Sequence, residues 1–423
     1  NPRVNQIVFP LIEEIVAAFG ADGIHVGMDE VFLLGSEQSP GTRGKNPAEL
    51  FAKVVNELHD HFVKEMGLEM FMWGDRLIDA GLYGQGGWAS SAKDTAPAVD
   101  MIPTDIVICD WHYQPRGAYP SIPMFLEKGF RVLPGSWYTE GVEPLVKYSY
   151  RLRHPNMMGH LFTTWARLDP ESLRNYRPML TGIRTIRSGK YYDVDIGLGS
   201  VCDAGSLEVV LAVPGGGAGI HYTMDGSEPT ERSPLYERAL HLDRNATIKA
   251  IACRKGVVVS EVSEKRFLVH KATGKGISLA TPFSAQYPPG DGAATLVNGV
   301  TGSDSYADGQ WVGVEGSDLE VLIDLGGPTE VSTVSVNSMN DRPNRVHHSP
   351  LVEVFGSGDG RIFTRLGGVA DATSDDQIVR LEVVFRPATA RYLKVLIHNQ
   401  VIPEGFSGAG RPAWLFVDEI AVH

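Results

Sequence analysis

Apolar residues recur at two periods along this chain, and the period changes once. Up to Tyr192, short β-prone apolar runs alternate with stretches of helical spacing. Ile7, Leu11, Ile15 and Phe19 fall about a turn apart and predict an amphipathic helix over 7–19, stopped by Gly20. The run at 23–28 reads as a strand, 47–66 as a long helix with Pro47 where a first helical residue tolerates it, and 68–73 as a second strand. After a glycine-rich loop over 81–87 come strands at 105–111 and 130–133 around a short helix at 122–128. A helix over 142–153, a strand over 157–165 and a closing helix over 172–186 complete this half. Strand and helix in alternation imply a parallel sheet built from βα units.

Beyond Tyr192 the helical period disappears. Leu207-Glu208-Val209-Val210-Leu211 is a strand, Asp225-Gly226 marks a hairpin, and 247–252 is a further strand. A short Lys/Gly-containing linker at 271–276 leads into a second β-rich stretch, with strands at 319–325, 331–336, 352–355, 378–385 and 391–397 and a closing run through Trp414 to Ile420. The expected domains are therefore 1–192, 193–272 and 273–423.

Composition narrows the classes. The chain has 423 residues and a formal net charge of -13, which disfavours a nucleic-acid partner because phosphate binding needs clustered Lys and Arg. No apolar run approaches membrane-spanning length. Cys109, Cys202 and Cys253 are too few and too scattered for a disulfide framework or a zinc site.

The candidate chemistry lies where the strands of the first half end. The run His25-Val26-Gly27-Met28 closes on two adjacent acids, Asp29 and Glu30. By spacing alone these acids could simply start a helix, whose N-terminus favours negative charge. They also have the makings of a glycosidic cleavage site, which needs a proton donor and a group that offsets positive charge at the anomeric carbon. The later strands end in Trp73 with Asp75, in Trp111, in Trp137 with Tyr138, and in Trp165. Any one tryptophan is more often core, but a tryptophan closing four successive strands suits an apolar box for a sugar face and an acetamido methyl.

The motif His25-x-Gly27-x-Asp29-Glu30, with a helix before it, resembles the signature of glycoside hydrolase family 20, the β-N-acetylhexosaminidases. The resemblance implies a (β/α)8 TIM barrel in which this motif ends the fourth strand. Five units would be present here and three would lie upstream, so the first domain would be the C-terminal part of a catalytic barrel, and this fragment alone would be poorly active because a barrel lacking three strands exposes open sheet edges. It implies an exo-acting, substrate-assisted retaining reaction on terminal N-acetylglucosamine or N-acetylgalactosamine. The substrate's own acetamido oxygen would be the nucleophile, Glu30 the acid and base, and Asp29 the group that holds the acetamido N–H and offsets charge on the ring that forms. Trp73, Trp111 and Trp165 match the pocket tryptophans. Tyr138-Thr139-Glu140 resembles a Tyr-x-Asp that binds the acetamide oxygen and a hydroxyl, with Tyr113 as the rival tyrosine. His25, Asp75 and Trp137 complete the expected substrate contacts. The family commonly continues Trp-x-Glu where this chain has Trp165-Ala166-Arg167, and its sugar-gripping arginine would lie upstream; both leave the sugar open between the gluco and galacto forms.

Residues 193–272, with Tyr222-Thr223-x-Asp225-Gly226-Ser227-x-Pro229, resemble the immunoglobulin-like β-sandwich at the C-terminus of chitobiases. Residues 273–423, with Asn298-Gly299 before Trp311, a Leu-x-Val-x-Ile-Asp-Leu-Gly strand and a closing Asp418-Glu419-Ile420, resemble a discoidin-like (coagulation factor 5/8 C-type) β-sandwich, the fold of carbohydrate-binding family 32. That likeness implies sugar contacts on loop residues Asn340, Arg342, His347, His348 and Phe406. It also implies a structural calcium on Asn298, Asp304 and Glu419, since calcium takes oxygen ligands; catalysis itself needs no cofactor. The implied partners are N-acetylated amino-sugar glycans, and the implied location is extracellular or periplasmic. The competing function is a non-catalytic carbohydrate-binding protein whose barrel remnant is structural. Oligomeric state is open.

Overall fold

The computed structural model describes residues 3–423 except 84, 85, 87, 92, 93, 167, 168, 203, 204 and 372. The chain divides into two compact units, one ending at Tyr192 and the other beginning at Asp193. The glycine-rich loop expected over 81–87 falls partly outside the described residues, as does Arg167.

The first unit runs α1 (Asn5–Phe19), β1 (Gly23–His25), α2 (Pro47–His59), β2 (Glu69–Trp73), α3 (Ala80–Tyr83), β3 (Val107–Trp111), α4 (Ser121–Glu127), β4 (Arg131–Ser136), α5 (Thr139–Leu152), β5 (Leu161–Phe162), α6 (Pro170–Arg174) and α7 (Arg177–Ser188). Its sheet has five parallel strands in chain order, β1 to β5. Five successive βα units of a barrel would give this order, so the sheet is compatible with part of one. The Asn46 side chain caps α2 by accepting from the Ala48 and Glu49 amides, and Pro47 sits at the first helical turn. The expected helix over 47–66 changes character at Asp60, where a π-helical turn (Asp60–Glu65) takes over. The strand expected over 157–165 shrinks to β5, with Met157 bridged singly to Val132. The closing helix is two helices, α6 and α7.

Phe51, Phe62, Met70, Met72, Phe125 and Phe130 are fully buried and form the centre of the core between sheet and helices. The expected apolar stripe of α1 lies elsewhere. Ile7 is 70% and Phe19 82% exposed, and Leu11 and Ile15 are exposed too, while Phe9, Ile12 and Val16 meet the core. The helix is apolar on two faces, and the sheet takes the other one.

The second unit is all β. It holds β6 (Asp195–Val201), β7 (Leu207–Ala212), β8 (Gly219–Thr223), β9 (Leu240–Leu242), β10 (Ala246–Arg254), β11 (Val257–Val258) and β12 (Ser263–Phe267). Then come β13 (Gly276–Leu279), β14 (Val312–Glu315), β15 (Leu319–Met339), β16 (Leu351–Ser357), β17 (Thr364–Ala370), β18 (Ile378–Ile397) and β19 (Trp414–Val422). A three-stranded sheet β6-β7-β9 and a four-stranded sheet around β10 occupy its first part. The rest is one seven-stranded antiparallel sheet, ordered β14-β19-β15-β18-β16-β17 with β13 on β15. The long strands β15 and β18 absorb register shifts near Asp324/Thr329 and Val331/Thr333, so one hydrogen-bonded sheet closes over a common core of Val321, Ile323, Val334, Val395, Val417 and Ile420.

Candidate functional site

Parallel strands bring their carboxyl ends to one side, and the loops that follow β1 to β5 carry the residues singled out above. Trp73 ends β2 and Trp111 ends β3; Trp137 follows β4 and Trp165 follows β5. With Asp29, Glu30 and Tyr113 these four tryptophans line a single cup of about 350 Å³. That volume suits a single sugar ring with a small substituent. Trp73 and Trp165 lie with ring centres 6.5 Å apart, and Trp111 packs on Tyr113 at 4.8 Å. The indole N–H of Trp165 donates to the Tyr113 hydroxyl at 3.1 Å. Burial pushes the Tyr113 hydroxyl above its ordinary pKa, and Asp29 and Glu30 push the same way against the bond from Trp165.

The carboxylates sit on an unusual turn. Gly27, Met28 and Glu30 all have positive φ, at 75°, 73° and 51°. The turn is pinned at the sheet side, where the Trp73 amide donates to the Gly27 carbonyl and the Val26 amide to the Phe71 carbonyl, both at 2.9 Å. The His25 Nδ1 accepts from the Gly27 amide, and its ring lies 4.7 Å from Trp73. Burial lowers the His25 pKa, with Asp29 opposing. His25 thus braces the turn and is not among the lining residues.

Three other expected contacts also lie off the cup. Asp75 is buried beneath it; its Oδ2 accepts from the Glu30 amide at 3.0 Å and from Arg76 Nε at 2.6 Å. Burial raises the Asp75 pKa, and those two partners pull against it. Tyr138 stacks on Trp137 at 4.6 Å, behind the lining ring. Glu140 is exposed in the first turn of α5. Of the two rival tyrosines, Tyr113 is the one that lines the cup. Sequence reasoning missed Arg76, a buried cation beside Asp75; the Trp73-Gly74-Asp75-Arg76 run was its only local trace.

In the second unit most of the expected sugar-contact side chains meet partners within the protein, while His347 Nε2 is buried with none among the described residues. The Asn340 amide donates to the Ser374 and Asp376 carbonyls, and its Oδ1 accepts from the His348 amide. Arg342 binds Asp375 and lies over the Phe406 ring, and His347 packs edge-on to Phe406. An adjacent pocket of about 300 Å³ is lined by Tyr287, Tyr306, Glu315, Arg345, Trp414 and Phe416, among others.

Of the residues expected to hold calcium, Asn298 and Glu419 each meet partners within the protein. Asn298 Oδ1 accepts from the Val300 amide, and Glu419 Oε1 takes His270 Nε2 at 2.7 Å and the Gly299 amide at 3.1 Å. Asp304 is exposed. The other Glu419 oxygen, Oε2, is buried and meets no partner among the described residues. Among the described residues no cluster of three or more His, Cys, Asp and Glu could hold a metal ion, and no helix is long and apolar enough to cross a membrane.

A sequence-family profile described as Fn3 associated matches residues 211–267. No curated protein matches the chain. Solved structures similar to it include chitosan-binding module 1 of a chitosanase/glucanase from Paenibacillus sp. IK-5, at 17% identity over 36% of this chain and 98% of that one, with a TM-score of 0.25. They include the lectin domain of lectinolysin complexed with Lewis B antigen, at 20% identity over 36% of this chain and 95% of that one, with a TM-score of 0.27. They also include the Clostridium perfringens module CpGH89CBM32-5 in complex with GalNAc-β-1,3-galactose, at 14% identity over 35% of this chain and 93% of that one, with a TM-score of 0.24.

Proposed function

We propose that this chain recognises carbohydrate, and that the cup at the ends of β1 to β5 receives an N-acetylated amino sugar. The supporting observation is the composition of the cup: four tryptophans and a tyrosine enclosing two adjacent carboxylates. Indole faces match the C–H faces of a pyranose, and an acetamido group offers a methyl for the aromatic wall and an N–H for a carboxylate.

The carboxylate pair extends the proposal to cleavage by a β-N-acetylhexosaminidase of the substrate-assisted, retaining kind. The acetamido oxygen attacks the anomeric carbon, and the bond to the leaving oxygen breaks as Glu30 gives it a proton. Asp29 accepts the acetamido N–H and balances the charge of the oxazolinium-like ring. Glu30 then takes a proton from the water that opens that ring. Tyr113, whose hydroxyl accepts from the Trp165 indole N–H, donates to the acetamido oxygen in this reading.

A second reading keeps the sugar and drops the cleavage. The cup is open, with Trp165 60% exposed, and water entering an open site weakens the electrostatics that cleavage needs. The second unit also offers its own aromatic pocket. One experiment separates the readings. N-acetylglucosamine and N-acetylgalactosamine are titrated against tryptophan fluorescence of the whole chain, and an aryl N-acetyl-β-glucosaminide is offered for hydrolysis. Trp111→Ala should weaken binding about tenfold or more, roughly the 1.4 kcal/mol of one lost aromatic contact. Glu30→Gln should leave binding intact and cut hydrolysis by about 100-fold or more. Binding without hydrolysis in the wild type selects the non-catalytic reading, and no binding to either sugar sinks both.

A further inference from the structure

The expected sugar contact Asp75 is buried, with 1% of its surface exposed, and its side chain reaches the backbone of Glu30 instead of the cup. Glu30 has a left-handed backbone at φ 51°, and it shares its turn with Met28 at φ 73°. Residues with a Cβ hold such a conformation only where their surroundings impose it. The sheet imposes the first half of the turn through Gly27. Asp75 Oδ2 is the acceptor that meets the Glu30 amide.

Asp75 is itself held. Arg76 Nε donates to the same Oδ2 at 2.6 Å, and Arg76 is 2% exposed. Its Nη2 donates to the Trp88 carbonyl at 2.6 Å, and its guanidinium lies 4.6 Å from the centre of the Phe32 ring. Phe32 meets Trp88 edge to face at 5.0 Å. Arg76 therefore links the turn after β2, the segment that follows Glu30 and the loop carrying Trp88. Asp75 Oδ1 is buried and meets no partner among the described residues. A carboxylate kept in so dry a place is costly, and its one paired oxygen is directed at the Glu30 amide.

We propose that Asp75 is a positioning residue for Glu30: with Arg76 it forms a buried clamp that fixes the left-handed turn and so sets where the Glu30 carboxyl enters the cup. The inference rests on the reading of Glu30 as proton donor, and it adds a part of the machinery that never touches sugar.

The test uses the whole chain with Asp75→Ala, Asp75→Asn and Glu30→Gln. Hydrogen exchange at the Glu30 amide should quicken about tenfold or more in Asp75→Ala, because the bond that protects it is gone. The β2 amides should stay unchanged. Asp75→Asn keeps an acceptor and should restore part of the protection. In turnover, Asp75→Ala should lower kcat about 100-fold, the scale of a misplaced catalytic group, with KM nearly constant. The loss should shrink for aryl leaving groups that need no proton, which a general loss of folded protein would not do. Unchanged exchange at Glu30 overturns the clamp. Selective exchange with unchanged kcat, in a chain where Glu30→Gln is inactive, overturns its effect on catalysis. Selective exchange alongside a Glu30→Gln chain as active as wild type leaves the clamp standing and removes the acid role.

Discussion

Single residues at the sheet ends were legible by type and often misleading by destination. A tryptophan that closes an apolar run has few places to go, so Trp73, Trp111, Trp137 and Trp165 could be read from the sequence as one ring, and they line one cup. An acid two residues after such a tryptophan reads as a ligand contact, yet Asp75 turns inward because a buried arginine and an orphan backbone amide wait there. No linear pattern marks that choice. His160 shows the same inwardness with a measurable consequence. Its Nε2 bonds Ser136 Oγ at 2.7 Å, its Nδ1 is buried without a partner among the described residues, and burial holds its pKa down at about 3. The unfolded imidazole takes a proton near the usual 6.5, and the folded one refuses it until about 3. Stability present above pH 6.5 is therefore lost as pH falls through this window, by up to about 1.4 kcal/mol per pH unit. His160→Gln, which keeps a polar group near Ser136 and cannot charge, should flatten the acid limb of a melting-temperature profile between pH 6.5 and 4. An identical limb in wild type and variant would show that His160 does not carry it.

At the scale of elements, helices and strands with a single unambiguous period came through, and those with mixed signals did not. The Gly326-Gly327-Pro328 and Pro387 breaks suggest two strands where β15 and β18 each run on. The chain passes these breaks by shifting register, which gives a proline a place outside the ladder. How closely elements approach is likewise invisible in a pattern of apolar positions. The start of α5 comes so near the cup that a Cβ on Gly141 would lie 2.1 Å from the Tyr113 carbonyl oxygen and 2.8 Å from its carbon. The clash is with backbone, so it cannot be relieved by a rotamer. Gly141→Ala should cost about 1–3 kcal/mol and displace Tyr113, loosening sugar binding in a fluorescence titration. Gly117, whose added Cβ would meet nothing within 4 Å, supplies the control: Gly117→Ala should melt and bind like wild type. Equal behaviour of the two variants would mean that the close approach of α5 does not set the position of Tyr113.

For the molecule as a whole, the chain divides into two compact units at Tyr192/Asp193, where three domains were expected; helical and strand periods cannot share a stretch, so a change of period can mark an α/β-to-β change but not a boundary between two β-rich stretches. The sequence could not say which side of α1 the sheet would take, since Phe9, Ile12 and Val16 are as apolar as Ile7, Leu11, Ile15 and Phe19. The sheet takes the first set and leaves the second in solvent, with Phe19 82% exposed. Among the described residues β1 and β5 each pair on one side only, so the sheet also has two strand edges. An exposed apolar helix face and an unpaired strand edge are each surfaces that associate, the first by burial of its side chains and the second by strand addition. The 423-residue chain should therefore self-associate with rising concentration and bind a dye that reports exposed apolar surface. The variant with Ile7→Glu, Leu11→Lys and Phe19→Ser should do so much less, since these changes leave the core face of α1 untouched. Light scattering during size exclusion decides it. A wild-type chain that stays monomeric at high concentration and leaves the dye dark would show that this face does not drive association.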